Sequence, residues 1–92
     1  MAEAPGDEEG SEQSLVEATL AYIARSMVEH PDDVEVTTAP GDGGQTIFRL
    51  KVNQEDMGRV IGRHGRTARA IRQLARASAA KAGIHAYIEI VD

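Results

Sequence analysis

One short segment in the second half of the chain combines glycines, basic side chains and apolar residues in a pattern suited to anion binding. It reads Val-Ile-Gly-Arg-His-Gly-Arg and occupies residues 60–66. Two glycines three positions apart allow a tight turn, and without a Cβ they let a ligand approach the backbone closely. The second glycine also opens a predicted helix, whose free N–H groups favour anions. The segment therefore predicts a clamp on a nucleic-acid backbone, although a glycine pair in a tight turn can also be purely steric.

Basic residues are concentrated around this segment, while the chain as a whole is acidic. Seven Arg or Lys residues fall between Arg59 and Lys81 with no acid among them, and the formal net charge of the 92 residues is −5. Residues 1–46 hold one basic residue against eleven acids, and residues 47–92 hold nine basic residues against four acids. Such asymmetry fits a protein that attracts a polyanion at one face and repels it elsewhere. The alternative is two solvated faces with no ligand.

Hydrophobic periodicity predicts an α+β fold with the element order α-β-β-α-α-β. The predicted elements are a helix over about 15–29, a strand at Val34–Thr37, a strand at Ile47–Val52, a short helix carrying Met57, Val60 and Ile61, a long helix from Gly65 or Arg66 to Ala82, and a strand at Ile84–Val91. The glycine segment lies between the second and third helices. We expect both helices to pack on a common core.

Several local signals place the ends and faces of these elements. Ser14 and Glu17 form a capping-box pattern for the first helix, and Pro31 is expected to end it. Asn53 or Asp56 could cap the short helix. On the long helix, spacing predicts an inner face with Ile71, Leu74 and Ala75 and an outer stripe of Arg69, Arg72 and Arg76.

Length and composition limit the classes of protein that fit. We expect a single domain over residues 14–92, preceded by a disordered acidic tail over residues 1–13. The chain has no cysteine, so disulfides and thiolate metal sites are excluded, and we expect no cofactor. Its longest apolar runs fall far short of the ~20 residues that span a bilayer. A cytoplasmic protein is the simplest interpretation.

The segment at 60–66, with Ile71 after it, resembles the signature of KH domains, in which two apolar residues precede G-x-x-G and at least one variable residue is basic. Because the extra helix and strand precede the β-α-α-β unit, the resemblance is to the type II arrangement. Within that class the chain resembles the small bacterial RNA-binding proteins of the KhpA family. The likeness covers about residues 15–91, including the His-Pro-Asp-Asp run at 30–33.

This resemblance implies a three-stranded sheet with three helices packed on one face. It also implies that the loop at 62–65 grips the backbone of about four unpaired RNA nucleotides. KhpA-like proteins associate with a second KH protein of the KhpB or Jag type, are linked to cell-shape control and have been proposed as RNA chaperones, so such a partner and a homodimer are expected here. The residues expected to bind RNA are Arg59, Ile61, Gly62, Arg63, His64, Gly65, Arg66 and Arg69.

Other interpretations remain beside this one. A KH-like fold could serve as a protein-interaction module with little RNA affinity of its own. Arg59 and Arg66 could pair with Asp56 or Glu55 instead of meeting RNA. The acidic tail could be a solubility segment, a cloning remnant or a mimic of RNA. Catalysis is not expected, because the three histidines have no evident nucleophile or orienting carboxylate, and Gly65 is followed by Arg66 and Thr67 instead of a P-loop Lys-Ser or Lys-Thr.

Overall fold

A computed structural model describes the backbone of residues 7–92 and the side chains from Glu12 onward. The elements are α1 (Asp7–Arg25), β1 (Glu35–Pro40), β2 (Thr46–Lys51), α2 (Met57–Ile61), α3 (Arg66–Lys81) and β3 (Ala86–Val91). Short 3-10 turns at Pro31–Asp33, Gln54–Asp56 and Arg63–Gly65 connect them. The order is the predicted α-β-β-α-α-β of a type II KH domain, and the fold class is confirmed.

The three strands form one mixed sheet in the order β1-β2-β3. β1 pairs antiparallel with β2, and Thr38 lies opposite Phe48; β2 pairs parallel with β3, and Phe48 lies opposite Ile88. The parallel pair requires a crossover, which α2, the glycine segment and α3 supply. The topology therefore places the glycine segment inside that crossover.

The helices cover one face of the sheet, and the core lies between them. Phe48 and Leu50 of β2 are fully buried, whereas Arg49 and Lys51 between and after them are exposed, as the alternation predicts. The largest buried apolar side chains are Val16, Leu20, Phe48, Leu50, Val60, Ile71 and Ile88. This core holds α2 and α3 firmly on either side of the glycine segment.

The bounds of α1 differ from those predicted. The helix begins at Asp7 and ends at Arg25, so Ser14 lies inside it and the predicted capping box is wrong. Pro31 does not end the helix either, because the helix stops earlier and Pro31 starts a separate 3-10 turn. Residues 7–13 of the predicted disordered tail lie in α1. Residues 1–6 lie outside the described part of the chain, and for them disorder stays a prediction.

The buried face of α3 also differs from the predicted one. Ile71 and Ala75 are buried as expected, but Leu74 is 57% exposed. The helix instead buries Ala68 and Ala79, so its inward side is shifted away from Leu74. Small side chains along that side let the helix pack closely, which leaves the bulkier leucine at the edge. Gly83 follows the helix with φ +75°, the left-handed conformation expected at such an end.

Candidate nucleic-acid interface

The glycine segment folds into an exposed loop between two helices. We call residues Gly62–Gly65 the glycine loop. α2 ends against Gly62, which has φ 76° and ψ 171°, and α3 starts directly after Gly65, which has φ 73° and ψ 13°. His64 between them has φ 57°, the sole positive φ outside glycine among the described residues. Left-handed backbone at both glycines explains why side chains are disfavoured there.

The two glycines are required for different reasons. A Cβ built on Gly62 would lie 2.6 Å from Cβ and 2.9 Å from the backbone nitrogen of Thr67, closer than real atoms approach. Gly62 therefore lets the loop pack tightly on the first turn of α3. A Cβ on Gly65 would meet nothing within 4 Å, so this position faces open space. Glycine is therefore required at position 65 only for its backbone conformation.

Both glycines of the loop donate backbone hydrogen bonds. The N–H of Gly62 donates to the carbonyl of Gly58 at 2.9 Å, and the N–H of Gly65 donates to the carbonyl of Gly62 at 3.1 Å. The exposed residues Arg63 and His64 lie between these two hydrogen-bonded glycines. Adjacent N–H groups in such a turn form a concave site for an anion. The loop thus presents exposed backbone between two hydrogen-bonded glycines, a geometry suited to an anion such as a phosphate.

Uncompensated positive charge surrounds the glycine loop. Arg63, Arg66 and Arg69 are exposed, and none of them forms an ion pair in the part of the chain that the structure describes. The sequence from Met57 to Ile88 contains no acidic residue. An anion at the loop therefore meets attractive charge and no repulsive carboxylate along α3.

Arg59 differs from the other predicted site residues, because its guanidinium is already engaged. Its Nη2 lies 2.8 Å from Oε2 of Glu29, and its Nε lies 3.9 Å from Oδ1 of Asp56. The sequence left pairing with Asp56 or Glu55 open, and Glu29 was not anticipated. The remaining predicted residues, 61–66 and Arg69, lie together along the end of α2, the loop and the first turn of α3.

A buried carboxylate behind the loop was missed at the level of sequence. Asp56 is 1% exposed and precedes α2 directly. Its Oδ1 accepts from the N–H of Glu29 at 3.1 Å, and its Oδ2 accepts from the N–H of His30 at 3.0 Å and lies 3.0 Å from the His30 Nδ1. Asn53, not Asp56, caps the preceding turn by accepting from the N–H of Glu55. We call this cluster of Glu29, His30 and Asp56 the carboxylate clasp.

The clasp shifts the ionisation of both side chains. The hydrogen bond with Asp56, aided by the negative charges of Asp56, Glu55 and Asp33, raises the pKa of His30 against the opposing effect of burial. Burial alone would raise the pKa of Asp56, but hydrogen bonds from Glu29 and His30 outweigh it and lower that pKa. The clasp is therefore an ion pair when His30 is protonated. It fixes the connection after α1 to the start of α2.

Comparison with known proteins places this arrangement in a family. Residues 17–90 match the family model described as KhpA/KhpB, KH domain. The RNA-binding protein KhpA of Treponema pallidum is 47% identical over 79 residues, which cover 86% of this chain and 98% of that protein. KhpA of Borreliella burgdorferi is 42% identical over 85 residues, covering 92% and 98%. These relatives are named for RNA binding and not for a reaction, in agreement with the prediction that the chain is not an enzyme.

Solved structures confirm the fold at much lower sequence identity. Era in complex with MgGDPNP and nucleotides 1506–1542 of 16S ribosomal RNA gives a TM-score of 0.58 at 19% identity, covering 84% of this chain. Aquifex aeolicus Era bound to GDP and aluminium fluoride gives 0.59 at 19% identity, covering 97%. This chain spans 29% and 32% of those two Era chains.

Across residues 7–92, no helix has the length and apolar character needed to cross a membrane. The match over residues 17–90, the identities with KhpA proteins and the type II topology agree with one another. The chain belongs to the KhpA/KhpB family of KH-domain proteins.

Proposed function

We propose that this protein binds single-stranded RNA in the cytoplasm by gripping the sugar-phosphate backbone with the glycine loop. The observation that carries the proposal is the glycine loop itself, which exposes Arg63 and His64 between two glycines of positive φ. Its neighbouring arginines form no ion pair within the described residues. The names of the relatives from T. pallidum and B. burgdorferi, both RNA-binding proteins, support it. The family resemblance extends the proposed role to that of an RNA chaperone or post-transcriptional regulator.

Each site residue has a distinct part in this grip. A phosphate oxygen accepts from the N–H groups at 63 and 64, and the guanidinium groups of Arg63, Arg66 and Arg69 neutralise further phosphates. Gly62 and Gly65 keep the approach to these donors open. Ile61, half-buried at the end of α2, offers an apolar surface to a base. Arg59 contributes less, because Glu29 already compensates its charge.

The loop can be tested with two nearly isosteric substitutions at Gly65. Asp and Asn both tolerate the left-handed backbone of this position better than other residues with a side chain. The space around it is open, so both variants should fold. Gly65→Asp places an anion beside the phosphate, whereas Gly65→Asn has a similar shape without the charge. We expect the Asp variant to bind a short oligouridine at least about tenfold more weakly than the Asn variant. Equal affinities in two folded variants would remove the loop from the site.

Salt dependence tests the arginines separately. On a single strand, each neutralised phosphate contributes about 0.7 to the slope of log K against log salt concentration. Three contacts from Arg63, Arg66 and Arg69 therefore give a slope of about −2. We expect Arg63→Gln to reduce the magnitude of this slope by about 0.7, and Arg59→Gln to change the slope little. A salt-independent interaction would instead favour the protein-interaction function.

A second candidate function, the docking of another protein, is favoured by exposed apolar side chains on α1 and α3. Leu15 is 66% exposed and Tyr22 is 74% exposed on the same side of α1, and Leu74 of α3 is 57% exposed. We propose that a KhpB/Jag-type KH protein or a second copy of the chain covers these residues. Sedimentation of the protein alone and with such a partner tests this. The double substitution Leu15→Gln and Leu74→Gln should abolish association. If the wild-type protein sediments as a monomer both alone and with the partner, the docking function is excluded.

A further inference from the structure

We propose a second nucleotide-binding site, at the far end of α3 from the glycine loop, that holds RNA beyond the nucleotides gripped by the loop. The site is a pocket where the end of α3 meets the start of β3 and the β1–β2 turn, and we call it the end pocket. The residues that line it include Gln45, Arg76, Ile84, His85 and Tyr87. The inference depends on the proposed function, because it extends the same RNA strand.

A stripe of arginines connects the loop to this pocket. Arg69, Arg72 and Arg76 follow at spacings of three and four along α3, which places them on one side of the helix. The Nε of Arg72 donates to the carbonyl of Ile88 at 3.3 Å, so this side of the helix faces the outer edge of β3. Arg76, one turn further, lines the end pocket beside the first residues of β3. The stripe therefore marks a path along the groove between α3 and β3.

The length of this path matches a short RNA segment. Arg66 and Arg76 are ten residues apart, which corresponds to roughly 15 Å along the helix axis. At the advance of about 3.4 Å per nucleotide of a helical strand, that distance corresponds to at most four to five nucleotides. A KH loop grips about four nucleotides. The end pocket thus lies where the next nucleotide would arrive.

The chemistry of the pocket suits a nucleotide. Its volume is about 590 Å³, within the range of small-ligand sites. Tyr87 is 49% exposed and offers a ring for a base, while the exposed Arg76 offers a cation for a phosphate. The Gln45 Oε1 accepts from the N–H of Gly43 at 2.8 Å, and the Gln45 amide nitrogen donates to no acceptor among the residues that the structure describes. No acidic side chain is among those lining the pocket.

The pocket can be tested with the full chain and oligonucleotides of two lengths. Affinities for oligouridine and oligoadenosine of about four and about eight nucleotides are measured by fluorescence anisotropy. The variants are Arg76→Gln and Tyr87→Ala. Matched controls are Lys81→Gln, an exposed cation on another side of the same helix, and Tyr87→Phe, which keeps the aromatic ring. A longer strand can bind in more positions, but this gain in affinity is the same for every variant. Differences in affinity between the variants therefore measure the contribution of the end pocket.

We expect both pocket variants to keep wild-type affinity for the short strand and to bind the long strand about tenfold more weakly, with the controls unchanged. Tyr87→Phe, which keeps the ring, should retain the long-strand affinity. The proposal of the end pocket is overturned if both pocket variants bind the long strand with wild-type affinity. It is also overturned if they lose affinity equally for both strand lengths.

The outcome separates this inference from the proposed function. If Gly65→Asp weakens binding of the short strand while the pocket variants bind both strands like the wild type, the end pocket is excluded and the role of the loop is retained. If the wild-type protein binds neither length, both proposals fail together.

Discussion

The buried carboxylate of Asp56 lies 3.0 Å from Nδ1 of His30, a residue 26 positions earlier in the chain. This contact and two backbone hydrogen bonds tie the segment after α1 to the residue that precedes α2. Since α2 has only five residues before the glycine loop, its placement depends on what fixes its first residue. The carboxylate clasp is thus the structural support of the loop from behind.

The first prediction concerns the charge of Asp56. An amide side chain has one acceptor oxygen, so Asp56→Asn would leave a backbone N–H of Glu29 or His30 facing an NH₂ group in a buried place. We expect the variant to lower the melting temperature by roughly 5–10 °C. Asp32→Asn makes the same chemical change at an exposed position and should shift the melting temperature by less than about 2 °C. Equal small shifts in both variants would show that the clasp does not stabilise the fold.

The second prediction concerns pH. The folded-state pKa of His30 is raised above 6.5, so its contribution is complete below that pH and is lost as the pH rises through the folded pKa. The pKa of Asp56 is lowered from 3.8, so its contribution is present above that pH and is lost as the pH falls through the folded pKa. The ion pair therefore stabilises the fold most between these two limits.

His30→Asn provides the measurement, because an amide nitrogen can still donate to Asp56 but does not titrate. We expect the wild type to exceed this variant in melting temperature most near about pH 5.5, and the difference to shrink as the pH is raised well above 6.5. His85→Asn, at an exposed position, is the control. A difference that grows with pH would contradict the raised pKa.

The third prediction separates the two glycines of the loop. Both have left-handed backbone, so an alanine at either position costs about 1–2 kcal/mol. At Gly62 the new Cβ would in addition meet Thr67, whereas at Gly65 it meets open space. We expect Gly62→Ala to lower the free energy of unfolding by at least about 1 kcal/mol more than Gly65→Ala in urea denaturation. Equal losses would mean that the loop does not pack on α3 as described.

Much of the fold could be predicted from local patterns. Alternation along β2 and β3 and the helical spacing on both sides of the loop reflect direct contact with one core, so the element order and the position of the loop were predicted correctly. Gly62 and Gly65 could be identified because few other residues adopt their backbone. The exposed arginines of α3 could be identified because no acid interrupts them.

Other features depend on contacts that local patterns do not contain. α1 begins at Asp7 although Ser14 has a capping pattern. A capping pattern is only a weak preference, so a helix can extend through it. Leu74 fits the inner spacing of α3 but lies at its edge, because alanines set how the helix packs. The clasp joins His30 and Asp56 across 26 positions, and neither residue has a local pattern that predicts the other.

A titration of amide chemical shifts with a short single-stranded RNA locates the strand on the protein. If the loop grips the phosphate backbone, the amide signals of Arg63 and His64 should shift most, followed by those of the first turn of α3. An equal-length DNA serves as the comparison strand. RNA binding that left these two amides unchanged and shifted instead Leu15, Tyr22 or the open face of the sheet would contradict the grip of the glycine loop.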